Sequence, residues 1–257
     1  MGTELKLEIG TVYAFLLVLA RVSGVFVFVP LPGIKAGPDI IRVALATSIT
    51  LALLPLWPVI PAASLSFPTM VGWLLAEAGL GIGVGIAVSF LSEIFQMGAQ
   101  IISLQAGYSF ASTIDPTSGA DSSILLSIAQ TLAGLLFFAT GMDHQVLLAF
   151  AHSLTVHPPG KVVLSTSMLN QVIETGSAMF STGLRLVLPL LALLLIVDIS
   201  LALLGRLNSQ LQLITLAFPI KMLLSLGLLA WLVLVFPKVF TQASGPILRL
   251  IHQLLLV

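Results

Sequence analysis

The sequence predicts an all-α, polytopic membrane protein, built from hydrophobic helical hairpins and forming one subunit of a helical membrane-associated assembly. Of its 257 residues, 58% are hydrophobic and only 8% are charged, whereas a soluble domain carries about 25% charged residues. The apolar runs are long and even, without the alternation of a transmembrane β-strand. Because backbone exposed to lipid must satisfy its own hydrogen bonds, runs of this kind are expected to be helical.

Clusters of proline and glycine separate the apolar runs and so define the predicted elements. In chain order, these clusters fall at residues 30–33, 37–39, 55–68, 115–119 and 157–160. The predicted helices span about residues 9–29, 40–56, 68–104, 122–140, 145–156, 166–182, 184–204 and 211–236. A short amphipathic tail, about residues 239–256, is predicted after Pro237.

Charged residues within or near the apolar runs predict that other protein covers these helices. The residues concerned are Arg21, Glu77, Glu93, Arg185, Asp198 and Lys221. A charge at a lipid-facing helix centre costs about 2.5–3.5 kcal/mol on insertion scales, so several of these helices would be poor solitary spans. For Arg21 and Arg185 a second interpretation stays open, in which the side chain snorkels from near a helix end to the head groups.

Four glycines in the third predicted helix, Gly79, Gly81, Gly83 and Gly85, form two overlapping G-x-x-x-G pairs. Small residues at this spacing let helix backbones approach closely in a membrane, so we predict a role in helix packing. We expect Gly83→Leu to block that approach and to disrupt assembly. A nucleotide-binding loop is the weaker interpretation, because the last glycine of G-x-G-x-x-G is missing and no strand precedes it.

The sequence predicts no catalytic residue, no metal site and no cofactor, and hence a protein that is not an enzyme. It has no cysteine, and it lacks H-E-x-x-H, a Walker loop and a G-x-S-x-G elbow. Asp143 and His144, with His152, could be imagined as a metal or acid–base set. Asp143 and His144 lie in a tight polar connection between apolar runs, which favours a helix–helix turn with a capping aspartate. The formal net charge of zero gives no electrostatic case for a nucleic-acid partner.

Several short motifs occur in an order and spacing that resemble the FliR family of flagellar biosynthetic membrane proteins and its SpaR/YscT-type injectisome relatives. They are Gln96-Met97-Gly98, the run Q-A-G-Y-S-F-A-S at residues 105–112, Asp115-Pro116, residues 19–24 with the turn 30–33, residues 140–144, Leu188-Pro189, Val197-Asp198, Gly205-Arg206 and Phe218-Pro219-Ile220-Lys221. The likeness covers about residues 12–240. The family often has R-x-x-P-Q-x-N where residues 206–212 carry no proline, so the shape of that turn is not carried over.

The resemblance implies a structural and gating subunit of the type III secretion export gate, which helps to form the channel for unfolded export substrates. It implies FliP-type and FliQ-type membrane subunits as partners, with FlhB-type and FlhA-type export components and membrane lipid. The implied location is the bacterial inner membrane, at the flagellar basal body or the injectisome base. Residues 1–183 would be a FliP-like helical part, and residues 184–257 a FliQ-like hairpin and tail. The choice between flagellar and injectisome substrates stays open.

The predicted C-terminal hairpin suggests an ion pair among Asp198, Arg206 and Lys221. At about 1.5 Å rise per residue, Asp198 and Lys221 would lie roughly 9 and 15 Å from the turn, a difference that a lysine stem can cover. We predict that Asp198 is buried and is paired with Lys221 or with a cation of a neighbouring subunit. In the alternative, Arg206 and Lys221 are head-group anchors and Asp198 faces water.

The segment at about residues 105–119 is predicted to be the channel plug. It follows a helix made polar by Gln96, Gln100 and Gln105, a stripe expected to line a wet cavity or an interface. Irregular backbone at membrane depth is tolerated only inside protein or around water, and the family places a loop of this kind in the closed channel. The predicted plug residues are Gln105, Gly107, Tyr108, Ser109, Phe110, Ala111, Ser112, Asp115, Pro116 and Gly119. Tyr108 and Phe110 would fill the lumen, and Gly107 and Gly119 would let the loop swing aside; an ordinary surface turn is the alternative.

Two other functions stay open at this point. A self-contained membrane transporter or channel would have inverted repeats and a midplane site on broken helices. Pro189 and Pro219 could mark such breaks, but no convincing repeat is visible in the sequence. An intramembrane hydrolase would need a catalytic motif that the sequence lacks.

Overall fold

The computed structural model describes residues 9–29, 40–58, 60, 66–108, 124–162, 165–207 and 213–256. Seven α-helices occupy most of these residues: α1 (Ile9–Phe26), α2 (Ile40–Ala52), α3 (Phe67–Ala106), α4 (Ile124–Ala139), α5 (Met142–Val156), α6 (Thr166–Leu207) and α7 (Leu213–Leu256). A short 3₁₀ turn, Leu54–Leu56, follows α2. No strand occurs in the described part of the chain. The predicted all-α class is therefore confirmed.

Four of these helices are long and apolar enough to cross a membrane: α1, α3, α6 and the Pro219–Leu255 part of α7. Helices α4 and α5 are joined by a sharp bend, and they add a fifth candidate if the bent pair forms one span. By length and composition, the described residues thus contain four or five candidate membrane spans. This number confirms the prediction of a polytopic membrane protein.

Two of the predicted helix breaks are wrong. The predicted segments 166–182 and 184–204 form the single 42-residue helix α6, and the predicted tail continues the 44-residue helix α7 through Pro237. Gly183 does not end a helix but makes room for a neighbour, since a Cβ there would lie 2.6 Å from Met97 Cε. Proline is tolerated inside membrane helices because neighbouring groups satisfy the freed backbone.

The chain divides into two compact units. Unit 1 consists of Met1–Phe90, Phe137–Gly176 and Ser244–Val257, and unit 2 consists of Leu91–Leu136 and Ser177–Ala243. This division follows contacts in space and falls within α3, α4, α6 and α7. The division predicted at residue 183 separates a FliP-like part from a FliQ-like part by resemblance and not by contacts, and it stays a prediction.

In unit 1, two helices approach so closely that only glycine fits between them. A Cβ on Gly81 of α3 would clash with the carbonyl oxygen of Arg21 in α1. A Cβ on Gly85 would lie 2.9 Å from the carbonyl oxygens of Gly24 and Val25, and one on Gly24 would lie 2.7 Å from the Ile82 nitrogen. The predicted role of these glycines in helix packing therefore has a defined partner, the backbone of α1.

The other glycine pair of α3 does not take part in this contact. Two residues along a helix correspond to a rotation of about 200°, so Gly79 and Gly83 face away from Gly81 and Gly85. A Cβ on Gly83 would make an ordinary contact, 3.9 Å from Leu254 Cδ1. Within this chain, the position where a side chain would block helix approach is Gly81. The expected effect of Gly83→Leu on assembly stays a prediction.

Unit 2 is held together by aromatic and small residues on α3, α6 and α7. The ring centroid of Phe95 lies 4.1 Å from that of Phe236 and 6.1 Å from that of Phe240, and all three side chains are buried. On the α6 side, a Cβ on Gly98 would lie 3.1 Å from Val187 Cγ2. These contacts place the second half of α3 beside α6 and α7.

Candidate functional site

Arg21 of α1 and Glu77 of α3 form a buried ion pair in unit 1. Both side chains are 0% exposed, and Arg21 Nε donates a hydrogen bond to Glu77 Oε2 at 2.5 Å. The interpretation in which Arg21 snorkels to the head groups is wrong, because its side chain is buried and paired inside the chain. The expectation that other protein covers these helices stays a prediction.

The other donors of Arg21 reach the C-terminal end of α5. Nη1 donates to Ser153 Oγ at 3.1 Å, and Nη2 donates to the carbonyl oxygen of His157 at 3.1 Å. Carbonyl groups at a helix C-terminus lack helical partners and carry the negative end of the helix dipole, so a cation is stabilised there. Arg21 therefore joins α1, α3 and the end of α5.

The second oxygen of Glu77 holds the connection that follows α5. Glu77 Oε1 accepts a hydrogen bond from the backbone N–H of Gly160 at 2.9 Å. Gly160 has φ +90°, a conformation that side chains disfavour, and a Cβ there would lie 2.9 Å from the ring of Trp73. Glycine at this position thus lets the connection approach the carboxylate.

In unit 2, Asp198 of α6 binds a residue from each of two other helices. Lys221 Nζ of α7 lies 2.6 Å from Asp198 Oδ1, and Gln105 Nε2 of α3 donates to Oδ2 at 3.0 Å. The structure thus brings together the Asp198 and Lys221 side chains, as the hairpin geometry predicts, and adds Gln105. The Lys221 side chain is 16% exposed and that of Asp198 is 35% exposed, so Asp198 is half-buried in this chain. Arg206 is exposed in the last turn of α6.

Three of the predicted plug residues are described, and all three belong to the end of α3 or follow it directly. Besides Gln105, they are Gly107, which has φ 86°, and Tyr108, whose hydroxyl donates to the carbonyl oxygen of Met222 at 3.2 Å. The other predicted plug residues lie outside the described residues: Ser109, Phe110, Ala111, Ser112, Asp115, Pro116 and Gly119.

Two further expectations about polar residues need correction. The three glutamines of α3 do not share one environment, since Gln96 is buried, Gln100 is exposed and Gln105 binds Asp198. Asp143 does not cap α5, because the N-cap position is Gly141, which has φ 70° and makes no side-chain cap bond. Asp143 instead lies in the first turn of α5, where a carboxylate meets the positive end of the helix dipole.

Sequence reasoning predicted the Asp198–Lys221 contact but missed Gln105 as a partner of Asp198, and it missed every partner of Arg21 and Glu77. Arg21 and Glu77 were noticed as costly charges, but they are 56 residues apart and no motif relates them. The backbone groups of His157, Gly160 and Met222 gave no signal, because every residue except proline carries the same donor and acceptor. The signal that could have been used is the free-energy cost of a charge in an apolar helix. Because of this cost, two opposite charges in such helices are expected to pair.

Apolar helices with charges satisfied inside the protein define the class, a polytopic helical membrane protein. The chain belongs to the bacterial export proteins, family 1, whose family model matches residues 12–246. This match confirms the resemblance noted over residues 12–240.

Relatives from distant bacteria carry one name, Flagellar biosynthetic protein FliR. The Escherichia coli (strain K12) protein is 30% identical over 213 residues, which cover 82% of this chain and 81% of the relative. The Caulobacter vibrioides protein is 27% identical over 223 residues, or 85% and 88% of the two chains. The Bacillus subtilis (strain 168) protein is 27% identical over 217 residues, or 82% and 83%. The likeness therefore extends over most of each protein.

Proposed function

We propose that this protein is a structural and gating subunit of the flagellar type III secretion export gate, and that it helps to form the protein-conducting channel for unfolded export substrates. The observation that carries this proposal is the family match over residues 12–246, together with similarity to proteins named for flagellar biosynthesis. That name also favours flagellar over injectisome substrates. The proposed role is structural and needs neither catalysis nor a cofactor.

The proposed location is the bacterial inner membrane at the flagellar basal body, with FliP-type and FliQ-type subunits as neighbours and FlhB-type and FlhA-type components nearby. Large uncovered apolar faces support such neighbours. Only 17% of the 18-residue apolar stretch of α6 is buried within this chain. Leu188, Ile196 and Leu204 are each at least half exposed. Apolar faces of this size are covered by lipid or by other subunits.

The proposed division of labour assigns residues 1–183 to a FliP-like part and residues 184–257 to a FliQ-like hairpin. The Asp198–Lys221 contact between α6 and α7 supports a hairpin in the second part. Gentle detergent extraction followed by sizing tests the assembly. A gate subunit purifies in a large complex with partner proteins, whereas a self-contained transporter, the alternative, runs alone or as a small homo-oligomer.

The gating part of the proposal concerns the plug at about residues 105–119. The end of α3 at Ala106 supports a change of structure there, and the rest of the argument comes from the family resemblance. Deleting residues 109–118 removes the proposed plug and keeps the helix end intact. The expected result is a complex that still assembles but leaks small molecules.

A replacement of residues 109–118 by glycine and serine, at equal length, separates the loss of plug side chains from a shortened connection. Both variants are compared at equal amounts of sized complex. A deletion strain that assembles the complex and stays sealed would contradict the gating proposal.

A further inference from the structure

We infer that Asp198 is a positioning residue, which fixes the C-terminal end of α3 to α6 and α7 so that the chain up to Tyr108 keeps its place during export. This inference rests on the proposed gating role and refines it. Any displacement of the plug would begin beyond Tyr108. The contacts that carry the inference form the anchor network, which consists of Gln105, Tyr108, Asp198, Lys221, Met222 and Ser225.

Asp198 has both carboxylate oxygens engaged by different helices. Oδ1 contacts Lys221 of α7 and Oδ2 accepts a hydrogen bond from Gln105, one residue before the end of α3. Hydrogen bonds to a charged group are roughly twice as strong as neutral ones. A single side chain therefore links three helices at the point where the proposed plug begins.

The backbone at the end of α3 has a fixed shape. The N–H of Gly107 donates to the carbonyl oxygen of Leu104 at 3.2 Å, and the N–H of Tyr108 donates to that of Ser103 at 3.1 Å. Together with the positive φ of Gly107, this is a Schellman cap, in which glycine is favoured. The direction in which the chain leaves α3 is thus set through Tyr108.

Tyr108 provides a second attachment to α7, beside the first. Its hydroxyl donates to the carbonyl oxygen of Met222 at 3.2 Å and lies 3.4 Å from Ser225 Oγ, which itself donates to the same carbonyl oxygen at 2.8 Å. Met222 directly follows Lys221, so the two attachments reach the same part of α7. Two attachment points oppose rotation of the helix end as well as its separation. Tyr108 is accordingly an anchor residue in this inference, and the lumen-filling role expected of it stays a prediction.

The absence of cysteine in the native chain allows a direct test with one introduced pair. Gln105→Cys with Asp198→Cys removes two members of the anchor network, and a short bifunctional thiol reagent can then join them in the assembled complex. Before crosslinking, the expected result is an assembled complex that leaks small molecules. After crosslinking, we expect the leak to be lost and export to continue, since this part of the chain does not need to move.

Three results would overturn the inference. Crosslinking that stops export would mean that the end of α3 moves. Failure of the reagent to join the two positions in an intact complex would mean that they are not neighbours. A seal that is already complete before crosslinking would mean that the network does not hold the plug in place. Ser200→Cys, an exposed position on α6, controls for effects of the reagent alone.

A milder variant uses the two tyrosines of the chain. Tyr108→Phe removes only the hydroxyl, and we expect a small leak from an otherwise intact complex. Tyr13→Phe makes the same chemical change in unit 1 and is expected to stay sealed. A sealed deletion of residues 109–118 contradicts the gating proposal itself. A leaky deletion combined with export blocked by the crosslink contradicts only the anchoring inference.

Discussion

Within the described residues, each unit has one ion pair between apolar helices, and the two pairs differ in their surroundings. Arg21 and Glu77 in unit 1 are 0% exposed and bind backbone groups at the end of α5 and after it. Asp198 and Lys221 in unit 2 are 35% and 16% exposed, and their other partner is the Gln105 side chain. The first pair is fully buried within its own unit, whereas the second is partly exposed on the surface of its unit. The same sequence signal, a charge in an apolar run, thus precedes two different environments.

Removing one partner is expected to cost more free energy of unfolding in the Arg21–Glu77 pair than in the Asp198–Lys221 pair. Removing one partner of a buried pair costs about 3–5 kcal/mol, because the other charge is left buried and unpaired. Exposed pairs contribute about 0–1 kcal/mol, since water replaces the lost partner. The Asp198–Lys221 pair lies between these limits. We therefore expect changes in unit 1 to lower the amount of folded protein, and changes at Asp198 to alter what the assembled protein does.

The largest effect is expected from Arg21→Met, which keeps an apolar side chain of similar length and leaves Glu77 unpaired. A loss of about 3–5 kcal/mol is a large part of the 5–15 kcal/mol that typically stabilises a protein. The amount of complex recovered after extraction measures it. Arg249→Met, at an exposed position in unit 1, is the matched control and should behave like the native protein.

The double variant Arg21→Met with Glu77→Met sharpens this test. Replacing a whole buried pair by apolar residues is often neutral or stabilising, so the double variant should yield more complex than either single variant. Additive losses would mean that the two charges do not act as a pair.

A smaller effect is expected from Gly81→Ala in the contact between α1 and α3. The added methyl group would clash with the backbone of Arg21, and overpacking of this kind costs about 1–3 kcal/mol. Gly83→Ala adds the same group where the nearest atom is 3.9 Å away, so it should be tolerated. Thermal unfolding of the purified complexes compares the two. Equal loss in both variants would contradict the assignment of the two glycine faces.

Asp198→Asn is expected to destabilise less than Arg21→Met, because the site is partly open to water and the amide oxygen still accepts one hydrogen bond. Its main effect should be on the seal of an assembled complex, measured as entry of small molecules into cells. An Asp198→Asn strain that assembles, exports and stays sealed like the native one would contradict the inference that Asp198 fixes the end of α3.

The smallest effect is expected from Arg206→Gln, which changes an exposed residue in the last turn of α6. Surface substitutions of this kind usually stay within ±0.5 kcal/mol. Complex yield and export should therefore match those of the native protein. A strong loss of assembly would show that Arg206 belongs to a subunit interface.

The fold class and one of the two pairs could be predicted from the sequence, because both follow from local geometry. Composition indicates membrane helices, and the rise of an α-helix brings Asp198 near Lys221 across a hairpin. The Arg21–Glu77 pair could not be predicted, since it depends on which faces α1 and α3 present to each other. The breaks expected near Gly183 and Pro237 were wrong because packing against neighbouring helices overrides the local preference of glycine and proline.

The most direct test of the difference between the two pairs is the leak of small molecules per assembled complex in Arg21→Met and Asp198→Asn strains. The expected result is fewer complexes for Arg21→Met, each of them sealed, and a near-native number for Asp198→Asn, each of them leaky. If complexes with Arg21→Met leak as much as those with Asp198→Asn, or if Asp198→Asn lowers only the number of complexes, then the separation of stability in unit 1 from gating in unit 2 is contradicted.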